Sequence, residues 1–404
     1  MRKPDAAAGR GAIDFARSFM PALAAATEVA RRSGGLAGVR VGIALTLEPK
    51  TACLAEAVAA IGGEVVVLGN DHSTKSDVVA ALAAAGIRVF AEPGAGAERA
   101  TERRDAFIDT RIALLADDGA GITRRLHTAR RDALGDLRGV AEETTSGVRP
   151  LRNMEAAGAL EVPCIAVNDA RTKLRFDNVY GTGQSVVMAV LDATNVQMAG
   201  TRVVVAGYGR VGRGIAAVAR GLGARVTVTE IDPVAALEAY HDGHDVRPLR
   251  DAVIGADFLF TASGIGHTVT ADDVAPMADG AILAVGGAGR PELDLSMGAP
   301  VDVGEEVRPG VRAVALPTGA TVFLVADGHC ANTTAGEGNP IEVMDLSLAL
   351  QLRALDHLAT HDLAPGVHLL PAAIDDEVAA SQLAGSGISF DVPSAAQRRA
   401  AGSW

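Results

Sequence analysis

From residue 39 onward, short β-branched runs alternate with alanine-rich segments of helical period. "VRVGIAL" (39–45), "GEVVVLG" (63–69), "IRVFAE" (87–92) and "IALLADDG" (112–119) read as strands, with "TACLAEAVAAIG" (51–62) and "SDVVAALAAAG" (76–86) as helices between them. Strands that alternate with helices predict βαβ units and a parallel sheet. After "VPCIAVNDA" (162–170) and a helical "TGQSVVMAVLDATNVQM" (182–198) a second series begins: "RVVVAGYG" (202–209), "GRGIAAVARGLG" (212–223), "RVTVTEID" (225–232), "DAVIGADFLFTASG" (251–264) and "GAILAVGG" (280–287). The expected fold class is α/β, with two doubly wound parallel-sheet domains and a short tail. A chain of 404 residues also exceeds what one hydrophobic core commonly serves.

Composition narrows the partners. A formal charge of −12 opposes nucleic acid and anionic membranes. No apolar run reaches the ~18 residues of a membrane span, and the N-terminus lacks a signal-peptide pattern. Three cysteines, Cys53, Cys164 and Cys330, without zinc-type spacing fit a reducing cytoplasm. His357 and His361 are spaced i, i+4, but without a third ligand they read as a helix surface rather than a metal pair. The expected partner is a small molecule.

The chemistry starts at Gly207-x-Gly209-x-x-Gly212, preceded by a strand and followed by a helix that opens with Arg210 and Val211. Glycines there permit a tight turn and let a pyrophosphate approach the helix N-terminus, where the dipole favours negative charge. Glu230 ends the next strand, where a carboxylate holds the adenosine ribose of NAD and disfavours the 2′-phosphate of NADP. The expected cofactor is NAD. Polar clusters near strand ends suit a hydroxylated ligand: "LLADDGAGIT" (114–123), "AEETTSGV" (141–148) and "VNDARTKLRFDNVYGTGQS" (167–185). Singly, each also reads as a turn, a cap or a surface charge.

Together, in order and spacing, "DDG", "EETTSGV", "VNDARTKLRFDNVYG", "VVAGYGRVGRG" and "GARVTVTEIDP" closely resemble the S-adenosylhomocysteine hydrolase family, from about Phe15 to Trp404. "LEPKTACL", "GEGNPIEVMDLS" and the tail ending in Trp look like its compact prokaryotic form. The resemblance implies a substrate domain (1–180), an NAD domain (181–338), a return helix on the substrate domain (339–372) and an oligomerisation tail (373–404) of a homotetramer. In such enzymes NAD takes hydride from the ribose 3′-hydroxyl of an adenine nucleoside, which acidifies the C4′ hydrogen. Loss of that proton expels the 5′ substituent, water adds, and the hydride returns. Carried over by position, Lys173 assists at the 3′-hydroxyl, Asp177 and Glu143 bind the ribose hydroxyls, and Asp118 takes part in C4′ proton transfer. Asn168 and Asn178 match positions at the catalytic centre and nicotinamide. Thr144, Thr145, Ser146, Ser263 and Asn332 match cofactor contacts, and Glu48 and Lys50 belong to the nucleoside region.

Three departures stand against this. The family's histidines are expected at Thr46, Ala288 and Asn339, and Lys75 and Ser76 also depart from the short-form pattern. His72, His267 and His329 lie near motif ends but not at matching positions. Redox residues are thus kept while the 5′ acid/base residues are lost. The leading expectation is an NAD-dependent nucleoside dehydratase of nucleoside-antibiotic biosynthesis, which forms a 4′,5′-alkene. The alternatives are ordinary adenosylhomocysteine hydrolysis and a non-catalytic NAD-bound regulatory relative.

Overall fold

The computed structural model describes residues 4–94, 96–287 and 291–402. The first sheet has seven strands in the order Gly366–His368, Pro163–Ala166, Gly139–Glu142, Leu114–Asp117, Arg40–Ala44, Glu64–Leu68, Arg88–Phe90. Every pairing in it is parallel. The second has eight strands, in the order Asp302–Arg308, Val311–Ala315, Thr321–Val325, Ile282–Val285, Phe258–Thr261, Arg202–Ala206, Arg225–Thr229, Asp245–Val246. The α/β class with parallel sheets is therefore the one read from the alternation. Strands Leu114–Asp117 and Gly139–Glu142 are buried at every position, as expected where helices cover both faces.

Both sheets reverse direction at a central strand. The chain winds outward from Arg40–Ala44 to one edge, then returns to pair Leu114–Asp117 on its other side. Arg202–Ala206 and Phe258–Thr261 form the same junction in the second sheet. Ligands of open α/β sheets bind at the carboxyl ends of such switch-point strands. Thr46 and Asp118 follow the two strands of the first junction, and Gly207 and Ser263 those of the second.

Helix Ile341–Thr360 packs into the core of the first sheet, with Leu348, Leu350, Leu352 and Leu355 fully buried. It also caps another helix. Pro21–Ser33 follows Met20, which offers no side-chain cap. The buried Asp345 carboxylate instead accepts from the amides of Ala22 at 2.8 Å and Leu23 at 2.7 Å, satisfying donors that every helix start leaves open.

Two regions differ from the periodic reading. Residues 302–325 form antiparallel strands at the edge of the second sheet. Their exposed "DVGEEVR" run is acidic and low in β propensity, so pairing rather than pattern defines it. The helix ending at Thr194 starts earlier than expected, because Lys173–Thr182 is a π-helix that runs straight into Gly183–Thr194.

Candidate active site

A run of i→i+5 bonds is rare and concentrates at functional sites. Here it carries "KLRFDNVYGT" and turns Lys173 and Asp177 inward, both buried. The Lys173 ammonium forms ion pairs with Glu143 Oε1 at 3.0 Å and with the Asp177 carboxylate. Each carboxylate is anchored a second time. Gln351 Nε2 donates to Glu143 Oε2 at 2.6 Å, and Ser347 Oγ to Asp177 Oδ2 at 3.3 Å. Both anchors come from the Ile341–Thr360 helix.

Two clefts meet at this lysine. The first, about 210 Å³, is lined by Thr46, Glu48, Lys50, Asp118, Glu143, Asp177, Asn332 and Asn339 among others. The second, about 260 Å³, is lined by Thr145, Ser146, Asn168, Gly209, Arg210 and Ser263 among others. Thr144, Lys173, Asn178 and Val211 line both. The residues singled out in sequence are thus brought together, except Ala288, which lies outside the described residues, and Gly207, Gly212 and Glu230, which shape the turn beneath the second cleft. Among the described residues no cluster of metal-ligating side chains exists.

The second cleft fits a dinucleotide. Gly207 has φ of 103°, and a Cβ on it would stand 2.9 Å from the Ala262 backbone. A Cβ on Gly212 would lie 1.9 Å from the Gly207 carbonyl oxygen. Nothing lies within 4 Å of where a Gly209 Cβ would be, which leaves room for a phosphate. Helices Arg210–Gly221 and Thr145–Ala156 both start at this cleft without a side-chain cap, so two positive dipole ends face it. The Glu230 carboxylate accepts from the Tyr208 amide at 2.6 Å and from those of Ile231 and Asp232 at 2.7 and 3.0 Å, which fixes it at the strand end with lone pairs to spare.

Asp118 opens onto the first cleft. Its side chain is exposed to that cleft, yet desolvation by the surrounding protein and then the Glu143 charge push its carboxyl up to about 6, while the Thr144 hydroxyl and Lys173 oppose the rise. Glu48 and Lys50 are buried and paired at 2.8 Å. The Lys50 ammonium also donates to the Glu337 carbonyl at 2.8 Å, beside Lys75, which donates to the Gly336 carbonyl at 2.8 Å. The Asn339 amide is fully engaged. Its Nδ2 donates to Asp177 and to Thr182 Oγ1 at 3.1 Å, and its Oδ1 accepts from Asn332 Nδ2 at 2.9 Å and Ser185 Oγ at 3.0 Å.

Sequence reasoning missed the layer beneath. Buried Glu142 accepts from the amides of Gly119 at 2.9 Å, Ala120 at 2.9 Å and Thr144 at 3.0 Å, and buried Asp117 accepts from Thr123 at 2.9 Å through its amide. These two carboxylates fix the loops that present Asp118, Glu143 and Thr144; burial pushes both carboxyl groups up. Their signal was present in the doubled acids "DD" and "EE", where one member points inward as a strand ends.

Fold and site together define a class, an NAD-binding two-domain α/β enzyme with a cleft of about 210 Å³ between residues that follow the two sheets. The comparison with known proteins narrows it. The model of the S-adenosyl-L-homocysteine hydrolase family matches residues 3–135, and that family's NAD binding domain matches residues 178–338. The chain is similar to the adenosylhomocysteinase of Thermotoga maritima, 43% identical over 400 residues, which cover 98% of this chain and 99% of that protein. It is also similar to the S-inosyl-L-homocysteine hydrolase of Methanopyrus kandleri, 41% identical over 401 residues, which cover 98% and 95%. The adenosylhomocysteinase of Thermococcus kodakarensis is 39% identical over 408 residues, which cover 99% and 96%. The chain belongs to the S-adenosyl-L-homocysteine hydrolase family, and it is an NAD-dependent enzyme of that family.

Proposed function

We propose that the chain oxidises C3′ of an adenine nucleoside, removes the C4′ proton and expels the 5′ substituent. The observation that carries this is Lys173 on the border of the two clefts, held by Glu143 and Asp177, with Asp118 lining the same cleft. Bound NAD supplies the hydride acceptor. Lys173 and its two carboxylates orient the ribose hydroxyls and hold the 3′-hydroxyl proton. A carboxyl of about 6 is ionised at neutral pH and remains basic enough to take the C4′ proton.

The net outcome has two readings. The relatives support hydrolysis of an S-nucleosidyl homocysteine: those named above are adenosylhomocysteinases and an S-inosyl-L-homocysteine hydrolase. None of the relatives named above carries a dehydration in its name. One observation favours stopping at the alkene: neither Thr46 nor Asn339 offers an imidazole to activate water for addition to it, and every donor and acceptor of the Asn339 amide faces protein. A 5′-hydroxyl would then leave as water and the 4′,5′-alkene would be released, a dehydration suited to nucleoside-antibiotic biosynthesis. Mass spectrometry after incubation with S-adenosylhomocysteine and, separately, with adenosine decides between them. Adenosine and homocysteine at a rate matching C4′ exchange support the hydrolase. Loss of water from adenosine, with S-adenosylhomocysteine cleaved slowly, supports the dehydratase.

A further inference from the structure

Imidazole is missing from the described positions where the family resemblance places it, yet two imidazoles converge beside Thr46. His72 and His329 stack with ring centroids 3.8 Å apart and planes 24° from parallel. They come from opposite sides of the junction. His72 follows the first-sheet strand Glu64–Leu68, in a turn fixed by Asn70, whose Oδ1 accepts from the His72 amide at 3.2 Å and the Ser73 amide at 2.8 Å. His329 follows the second-sheet strand Thr321–Val325. A cavity of about 560 Å³ is lined by both rings together with Thr46, Gly287, Cys330 and Thr333, and Thr46, Gly287, Cys330 and Thr333 also line the first cleft.

The turn before His329 is strained. Ala326, Asp327 and Gly328 have φ of 56°, 51° and 75°. Two successive non-glycine residues in the left-handed region cost free energy and gather at functional sites. The His329 amide closes the turn by donating to the Ala326 carbonyl at 2.8 Å.

We propose that His72 and His329 supply the proton taken up by the departing 5′ substituent, an assignment that rests on the oxidation and elimination reading above. Asp118 takes the C4′ proton, and the C4′–H electron pair becomes the second bond of C4′=C5′. The C5′ bond to the substituent breaks, and the substituent leaves with the imidazolium proton. The alkene and the protonated leaving group balance the step; solvent returns a proton to the imidazole and takes one from Asp118.

Two rings stacked this close repel one another when both are charged. Burial and the neighbouring His72 both lower the His329 pKa, so the protonated ring that donates is the minor form at neutral pH and its share grows as pH falls. Besides the two rings, the charged side chain among the described residues lining this cavity is Asp327, which is paired with Arg312. Asp71, next to His72, is paired with Arg103.

The test uses the NAD-loaded chain in deuterium oxide with adenosine and with S-adenosylhomocysteine as probes. Deuterium at C4′ is read by NMR and loss of the 5′ group by mass spectrometry. In His72→Asn/His329→Asn, C4′ exchange is expected to persist, which also reports an intact fold. Loss of the 5′ group is expected to fall by about 10²–10⁴-fold, the size of one general acid, and more for hydroxyl than for the less basic thiolate. Should the double variant not fold, His329→Gln alone is held to the same split. Unchanged 5′ loss in the variant overturns the proposal, as does an equal fall in exchange and 5′ loss, or exchange without 5′ loss from either probe in the unmodified chain. Absence of exchange in the unmodified chain overturns the oxidation reading, and this proposal with it.

Discussion

At the scale of the residue, the account turns on proton positions. The Asp118 carboxyl is raised to about 6 by burial first and then by Glu143, so the base form is lost as pH falls through that value. C4′ exchange is therefore expected to drop steeply below about pH 6, and an exchange rate flat between pH 5 and 8 contradicts the role. The same shift has a sign for stability: a carboxyl raised on folding contributes stability below its unfolded value of about 3.9, and that contribution is lost as pH rises through about 6. Asp118→Asn is thus expected to abolish exchange without lowering the melting temperature at neutral pH. Asp118 and Glu143 stood out in the sequence because each follows a strand end inside a long motif, and Lys173 because it lies in the long motif that forms the π-helix. The engagement of Asn339 was not, since Asp177, Thr182, Ser185 and Asn332 reach it only in the fold.

At the scale of the element, two joints are open to test. A Cβ at Gly212 would meet the Gly207 carbonyl oxygen at 1.9 Å, so Gly212→Ala forces the turn apart. It is expected to release NAD from the purified protein while circular dichroism stays native; retained NAD contradicts the fit. Asp345 holds the start of helix Pro21–Ser33 across the fold. Asp345→Ala leaves two buried amides without their acceptor, a loss of about 1–3 kcal/mol, measured by urea unfolding. Strand and helix alternation made the central elements of both sheets legible. The π-helix was not, because "KLRFDNVYGT" has no period that separates i→i+5 from i→i+4 bonding. The π-helix puts Lys173 and Asp177 in the cleft and leads into Gly183, which packs on Gly214 so closely that a Cβ would stand 2.5 Å from backbone.

At the scale of the whole molecule, the two sheets present their switch points to one another, and the site exists only where both contribute. Among the described residues no helix is long and apolar enough to cross a membrane. The tail leaves Phe390 58% and Val392 75% exposed. We propose the homotetramer implied by the resemblance, with this tail at its contacts. Sedimentation of a chain ending at residue 386 is expected to show a smaller assembly than the full chain, and an unchanged tetramer removes the tail from that role. The strands of the second sheet were legible from the restart of the strand pattern near residue 202.

The central claim is that the chain oxidises a nucleoside at C3′ and thereby acidifies C4′. The most direct measurement is deuterium incorporation at C4′ of adenosine, by NMR, in deuterium oxide with the NAD-loaded protein. The account predicts incorporation with the unmodified chain and none with Lys173→Ala carrying the same amount of NAD. No incorporation by the unmodified chain, or equal incorporation by Lys173→Ala, contradicts it.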